Sequence, residues 1–176
     1  MACPEAAVQF LKFNCSQKDG AENLQFDTLA LHGIYGFSAD DGTATCYLDV
    51  VDELQNRYGT LHGGCIATLV DVVGSAALLT KIEKSGVSLN ISVNYLRPGK
   101  GGSTVKIVGE VVKIGRTVCS IEVAITEKDS GRLIAKGTHV KHILEAEPPF
   151  PRLDSVAEEL THRRNAVRNK TQKSRL

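Results

Sequence analysis

An asparagine, a histidine, two glycines and an aspartate fall within the sixteen residues N-R-Y-G-T-L-H-G-G-C-I-A-T-L-V-D, from Asn56 to Asp71. From Cys65 to Leu79 the chain reads C-I-A-T-L-V-D-V-V-G-S-A-A-L-L, which puts apolar or small side chains around nearly the whole circumference of a helix and predicts one buried on all sides. Asp71 is the one carboxylate inside it. An ionised carboxylate is expensive in such a place unless it is paired or hydrogen-bonded, so Asp71 is the first candidate for chemistry. At the mouth of the same helix, Gly63 and Gly64 are expected to leave backbone N–H groups unpaired at the positive end of the helix dipole. Such donors suit an anion or a developing oxyanion, and glycine lets a ligand approach the backbone closely. A tight strand-to-helix turn would use the same Gly-Gly pair.

Spacing limits how these groups can cooperate. His62 and Asp71 are nine residues apart, ~13.5 Å of helical rise and about half a turn out of phase. They cannot share a site within one chain. If both act on one substrate, one subunit must present His62 and Gly63 to the Asp71 of another across a two-fold axis. Each residue also has a purely structural reading: His62 as a helix-start residue satisfied by backbone, Asp71 bonded to Thr68 or Ser75 on its own helix, Asn56 as a turn residue, and Ser88 as the first outward residue of a strand. Cys65 reads as core rather than nucleophile, since apolar burial raises a thiol pKa. No H-x-x-x-H or C-x-x-C spacing suggests a metal, and no cofactor is expected.

The elements that must position these residues follow from periodicity. Residues 4 to 14 suggest a short amphipathic helix, with Val8 and Leu11 to Phe13 on or near one face. Residues 27 to 38 and 43 to 51 read as strands joined at Asp40-Asp41-Gly42, a hairpin signal. The buried helix is expected from about His62 to Glu83, closed by Lys84-Ser85-Gly86. Strand-like segments then cover 87 to 97, 103 to 114, 117 to 128 and 132 to 144, with turns at Arg97-Pro98-Gly99, Ile114-Gly115-Arg116 and Lys128 to Gly131. In the first of these, alternation puts Val87, Leu89, Ile91, Val93 and Tyr95 on one face and Ser88, Asn90, Ser92 and Asn94 on the other. Two strands, one long buried helix and four strands predict an α+β fold of the hotdog kind, an antiparallel sheet wrapped around a central helix. An exposed sheet edge would invite pairing with a second copy.

The chain of 176 residues, net charge +1 and pI near 7.7 fits one domain with extensions: 1–24 as an N-terminal helical extension, 25–145 as the domain, and 146–176 as a Pro-containing linker with a basic tail. Neutral charge and few aromatics argue against a nucleic-acid partner. Five scattered cysteines suggest a reduced intracellular compartment, and no apolar run is long enough for a membrane span. The terminal Ser174-Arg175-Leu176 is a conservative variant of the S-K-L address and predicts peroxisomal import through its receptor, with the cytoplasm as alternative.

At N-x-x-G-T-L-H-G-G-x-x-A-T-L-V-D, followed by V-S-L-N-I-S-V-N-Y-L-R-P, the chain closely resembles the hotdog-fold acyl-CoA thioesterases. The likeness is greatest to the thioesterase superfamily member 2 or acyl-CoA thioesterase 13 group in its plant-like form, and it covers about residues 25 to 145. The resemblance implies metal-free thioester hydrolysis, with Asp71 as general base (or, as the alternative, nucleophile) and Ser88 orienting the water. It further implies that Gly63 N–H and Asn56 polarise the thioester carbonyl and that His62 lies near the leaving sulfur. For CoA it points to Tyr95, Leu96, Arg97, Pro98, Gly99 and Lys100, to Lys113 and Arg116, and to His142. It implies homodimers that place Asn56, His62 and Gly63 of one subunit beside Asp71 and Ser88 of the other, assembling into homotetramers. A hotdog hydratase or dehydratase acting on acyl-CoA is one competing reading, although the D-x-N-P-x-H motif of such enzymes is absent. A non-catalytic acyl-CoA binder is another, and the lone helix carboxylate argues against it.

Overall fold

The computed structural model describes residues 4–15, 26–31 and 33–145. Two helices open the chain, α1 (Pro4–Cys15) and α2 (Phe26–Leu31), followed by the hairpin strands β1 (Tyr35–Asp40) and β2 (Thr43–Asp49). A 3-10 turn at Asp52–Leu54 leads into the central helix α3 (Gly63–Leu79). Four strands complete the domain: β3 (Gly86–Tyr95), β4 (Thr104–Ile114), β5 (Val118–Glu127) and β6 (Leu133–Ile143). They form one antiparallel sheet in the order β1-β2-β4-β5-β6-β3, with α3 packed across β2 to β6. The expected α+β hotdog architecture is what is found. Among the described residues no helix is long and apolar enough to cross a membrane.

Alternation along the strands builds the core. Cys119, Ile121, Val123 and Ile125 of β5 are buried, as are Val105 and Ile107 of β4, and all point at the apolar side chains of α3, as a half-buried sheet requires. Three glycines let helix and sheet approach closely. A Cβ on Gly109 of β4 would lie 2.8 Å from the Val73 carbonyl oxygen, one on Gly137 of β6 2.5 Å from Val70 Cγ2, and one on Gly74 of α3 3.1 Å from His139 Nδ1.

Four expectations are corrected. Residues 27–31, expected as the start of a strand over 27–38, are helix, since α2 buries Leu31 and packs against α1 and α3. On α1 the fully buried pair is Ala7 and Leu11, four residues apart, with Val8 only half-buried; Phe13 falls outside the side chains described. Helix α3 ends at Leu79, because the Thr80 hydroxyl donates to Ala77 O at 2.7 Å and accepts the Gly42 N–H at 2.7 Å, tying the helix end to the hairpin turn. Finally, β3 does not alternate uniformly: Ser88 pairs with Lys141 but Asn90 with Val140, so Leu89 is the extra residue of a bulge. The basic tail and the Ser174 to Leu176 terminus lie outside the described residues.

Candidate active site

Helix α3 is not buried all round. Gly63, Gly64, Ala67, Asp71 and Ser75, at helical spacings of three and four, form a stripe that is not fully buried. Asp71 sits in its middle with its side chain 39% exposed. It is therefore not the sealed carboxylate that the composition of the helix predicts. Nor is it satisfied by its own helix: the Ser75 hydroxyl donates to the Asp71 backbone oxygen at 2.7 Å, and Thr68 donates to Gly64 O at 2.9 Å.

The partners of the Asp71 carboxylate come from the sheet. Ser88 Oγ donates to Asp71 Oδ1 at 3.3 Å. His139 Nε2 lies 2.9 Å from Ser88 Oγ and 3.5 Å from Asp71 Oδ1, and the Lys141 ammonium lies 4.0 Å from the same carboxylate oxygen. Opposed residues of paired strands share a face, and Ile91 stands opposite His139 while Ser88 stands opposite Lys141. The bulge at Leu89 thus turns Ser88 to the face that carries Ile91, against the uniform alternation expected of this strand. His139 is fully buried, and its burial, aided by the Lys141 charge and opposed by Asp71, pushes its pKa down to about 4. The ring is neutral at physiological pH. Its Nδ1 packs against Gly74 and has no hydrogen-bond partner among the described residues. With Ser88 donating to Asp71, its oxygen is free to accept from Nε2, so the chain from His139 through Ser88 to Asp71 is complete when Nε2 carries the proton.

Lys141 is buried and donates to Ser75 Oγ at 2.8 Å. Desolvation pushes its ammonium below the usual lysine range, against the opposing pull of Asp71, Cys119 and Asp27. Asp27, from α2, lines the same hollows as Asp71; burial and then the Asp71 charge raise its pKa, with Lys141 opposing. His139, Lys141 and Asp27 are the residues that the sequence reading missed. A signal existed in β6, where His139 and Lys141 share parity with core-facing Ala135, Gly137 and Ile143.

The second half of the site lies at the start of α3. His62 is the N-cap, its Nδ1 accepting the Gly64 N–H at 2.9 Å. This corrects the expectation that both glycine donors are unpaired. The Gly63 N–H has no partner among the described residues. Asn56 acts as a turn residue: its Oδ1 accepts from Tyr58 N at 2.9 Å and Thr60 N at 3.3 Å, and its Nδ2 donates to Thr60 Oγ1 at 2.9 Å, which leaves one amide hydrogen. Tyr95 OH donates to Gly63 O at 3.1 Å. A hollow of about 350 Å³ joins Asn56 and Gly63 to Tyr95, Leu96, Arg97, Pro98 and Gly99; Lys100, bridged to Thr60, is exposed.

The two halves stay apart. Asp71, Ser88 and Lys141 line a different cavity, of about 360 Å³, and Gly63 and Asp71 are eight residues apart on one helix, ~12 Å of rise. The residues expected to bind CoA also divide. Arg97 Nη1 donates to Leu133 O at 3.1 Å near the end of β3, whereas His142 stands opposite Val87 at its beginning, beside the turn that exposes Lys113 and Arg116. Eight strand residues separate these ends, ~26 Å. Cys65 is confirmed as core: it is buried, and burial pushes its thiol up to about 11.

An antiparallel sheet wrapped around one central helix defines a protein of the hotdog fold. The chain belongs to the thioesterase superfamily, whose sequence pattern matches residues 58–134, and it is a thioester hydrolase. It is 42% identical over 107 residues to human acyl-coenzyme A thioesterase 13, a match spanning 60% of this chain and 76% of that protein. It is similar to the crystal structure of zebrafish thioesterase superfamily member 2, with TM-score 0.72 and 32% identity over 82% of this chain and all of that one. A hypothetical thioesterase protein from Streptococcus pneumoniae, solved with coenzyme A, superimposes with TM-score 0.64 and 28% identity, covering 80% of this chain and 99% of that one.

Proposed function

We propose that this enzyme hydrolyses acyl-CoA to the free carboxylic acid and CoA, with Asp71 as the general base. The observation that carries the reading is the Asp71 carboxylate itself, half-exposed beside a cavity and held by Ser88 rather than by its own helix. Water held between Asp71 and Ser88 attacks the carbonyl carbon while its proton passes to Asp71. The carbonyl oxygen takes the developing charge, facing the unpaired Gly63 N–H and the remaining Asn56 amide hydrogen. The tetrahedral carbon then expels the CoA sulfur, which takes up the proton that Asp71 accepted from water, with His62 beside it.

The separation of the two half-sites supports assembly from two subunits. Strand β3 is a sheet edge with Val87, Leu89 and Tyr95 exposed, a surface suited to pairing with a second copy. A dimer places Gly63 of one copy beside Asp71 of the other, and a tetramer brings in the distant cations Lys113 and Arg116 for the nucleotide phosphates.

The test is thiol release over short, long and aromatic acyl-CoAs, with solution mass measured on the same sample. Asp71→Asn is expected to keep the assembly and melting temperature and lose most turnover. Wild-type kcat in a folded Asp71→Ala variant would sink the assignment, and full turnover by a protein that stays monomeric would sink the two-subunit site.

A further inference from the structure

From Asp71 toward its C-terminal end, helix α3 gives one side to a single cavity of about 360 Å³, and the chemistry of that wall changes along it. Asp71 and Ser75 come first, with Ser88 and Lys141 also on the cavity. Leu78 and Leu79 follow, seven and eight residues on from Asp71 and therefore on the same helical face. The distance from Asp71 to Leu79 along the helix is ~12 Å. Leu78 and Leu79 are buried, 2% and 5% exposed, so this part of the wall is hydrocarbon backed by the core.

Helix α1 supplies a further wall. Phe10 is the single aromatic residue on the cavity among the described residues, and it lies between the buried Ala7 and Leu11 where α1 packs on α3. Phe10 is outside the stretch 58–134 that matches the thioesterase superfamily. Lys84, at the rim, is already paired with Glu145, which disfavours a second carboxylate on whatever enters.

A thioester carbon carries its sulfur on one side and its acyl chain on the other. The hollow with Gly63 and Tyr95 to Gly99, expected for CoA, lies at the opposite end of α3, and in the two-subunit site it comes from the partner copy. The cavity that runs from Asp71 to Leu79 is then left for the acyl group.

Resting on the reading of Asp71 as the base, we propose that this cavity takes a linear aliphatic acyl chain and that Phe10 is the specificity-determining residue that limits its length. With carbon–carbon bonds of ~1.5 Å, the ~12 Å from Asp71 to Leu79 holds a chain of roughly eight to ten carbons. The ring of Phe10 occupies volume that the end of a longer chain would fill. Chain-length preference is therefore a property of the N-terminal helix rather than of the hotdog sheet.

The experiment is kcat/KM by thiol release over acetyl-, butyryl-, octanoyl-, decanoyl-, myristoyl- and stearoyl-CoA, for the full-length chain and for Phe10→Ala, Phe10→Leu, Phe10→Trp, Phe26→Ala and Asp71→Asn, with melting curves on each. In the wild type kcat/KM is expected to rise about fourfold for each methylene the cavity buries and to fall beyond decanoyl-CoA. Phe10→Ala raises the myristoyl-to-octanoyl ratio by about tenfold, the worth of roughly two methylenes, Phe10→Leu raises it less, and Phe10→Trp moves the optimum to shorter chains. A wild-type profile that is flat from acetyl- to stearoyl-CoA, or folded Phe10 variants with the wild-type profile, would overturn the proposal. Phe26 lines the other hollow that Asp71 borders, so a shifted preference in Phe26→Ala with none in the Phe10 variants would put the acyl chain there and overturn it as well. If Phe10→Ala does not fold, Phe10→Leu decides alone, and an unmoved ratio there refutes the role of Phe10. Asp71→Asn separates the two levels: full turnover there refutes Asp71 as the base, whereas lost turnover there with unmoved profiles at Phe10 refutes the acyl wall only.

Discussion

Ser88 reaches the Asp71 carboxylate, Oγ to Oδ1 at 3.3 Å, because the bulge at Leu89 reverses the phase of β3 between them. Without the extra residue Ser88 would face away from α3, and its hydrogen bond to the carboxylate would be lost. A hydrogen bond to a charged group is worth roughly 1.5–3 kcal/mol, so Ser88→Ala is expected to lower kcat ~10- to 100-fold. The melting temperature should move little, since Ser88 is exposed. Unchanged kcat in steady-state thiol release would remove Ser88 from the site.

His139 makes acid stability a property of the site. Its pKa is near 4 when folded against an ordinary value of 6.5, so between these values the unfolded chain binds more protons than the folded one. Stability therefore rises with pH through this window, and acidification from pH 6.5 to 4 removes at most about 3 kcal/mol through this group. Denaturant melts at a series of pH values should show that loss in the wild type and a flatter profile in His139→Asn. Parallel profiles would contradict the assignment.

The glycine contacts between helix and sheet are expected to be the most sensitive core positions. Gly109→Ala drives a Cβ to 2.8 Å from a backbone oxygen, which cannot rotate away, and Gly137→Ala meets the stiff side chain of Val70. Overpacking of this kind costs about 1–3 kcal/mol, and each kcal/mol lowers the melting temperature by ~2–4 °C in a chain of this size. Calorimetry that finds either variant as stable as the wild type would show that α3 is free to shift.

His62 combines a cap with a place in the proposed chemistry, and substitution can separate the two. Asparagine is a good N-cap, so His62→Asn should keep the melting temperature. His62→Ala should lower stability by on the order of 1 kcal/mol, the usual value for a lost cap. If the imidazole assists the leaving sulfur, both variants lose kcat together. A kcat that tracks stability rather than the imidazole would leave His62 a cap alone.

Local sequence determined the elements whose signals lie within them: the Asp41-Gly42 turn, the apolar run of α3, and the strand segments after it, all present within a few residues of expectation. It also determined that His62 and Asp71 cannot meet in one chain, because helical rise per residue is fixed. What it missed depends on partners distant in sequence. Phe26–Leu31 is helical because it docks on α1 and α3, and α3 stops at Leu79 because Thr80 meets a turn 38 residues earlier.

The surroundings of Asp71 were decided by tertiary structure alone. His139 and Lys141 lie about 70 residues further along the chain and reach the carboxylate only because β6 pairs with β3 and both lie against α3. A bulge is a mismatch between two strands, so its register exists only once they pair. Residue types singled out Asp71, and packing between remote strands chose its neighbours.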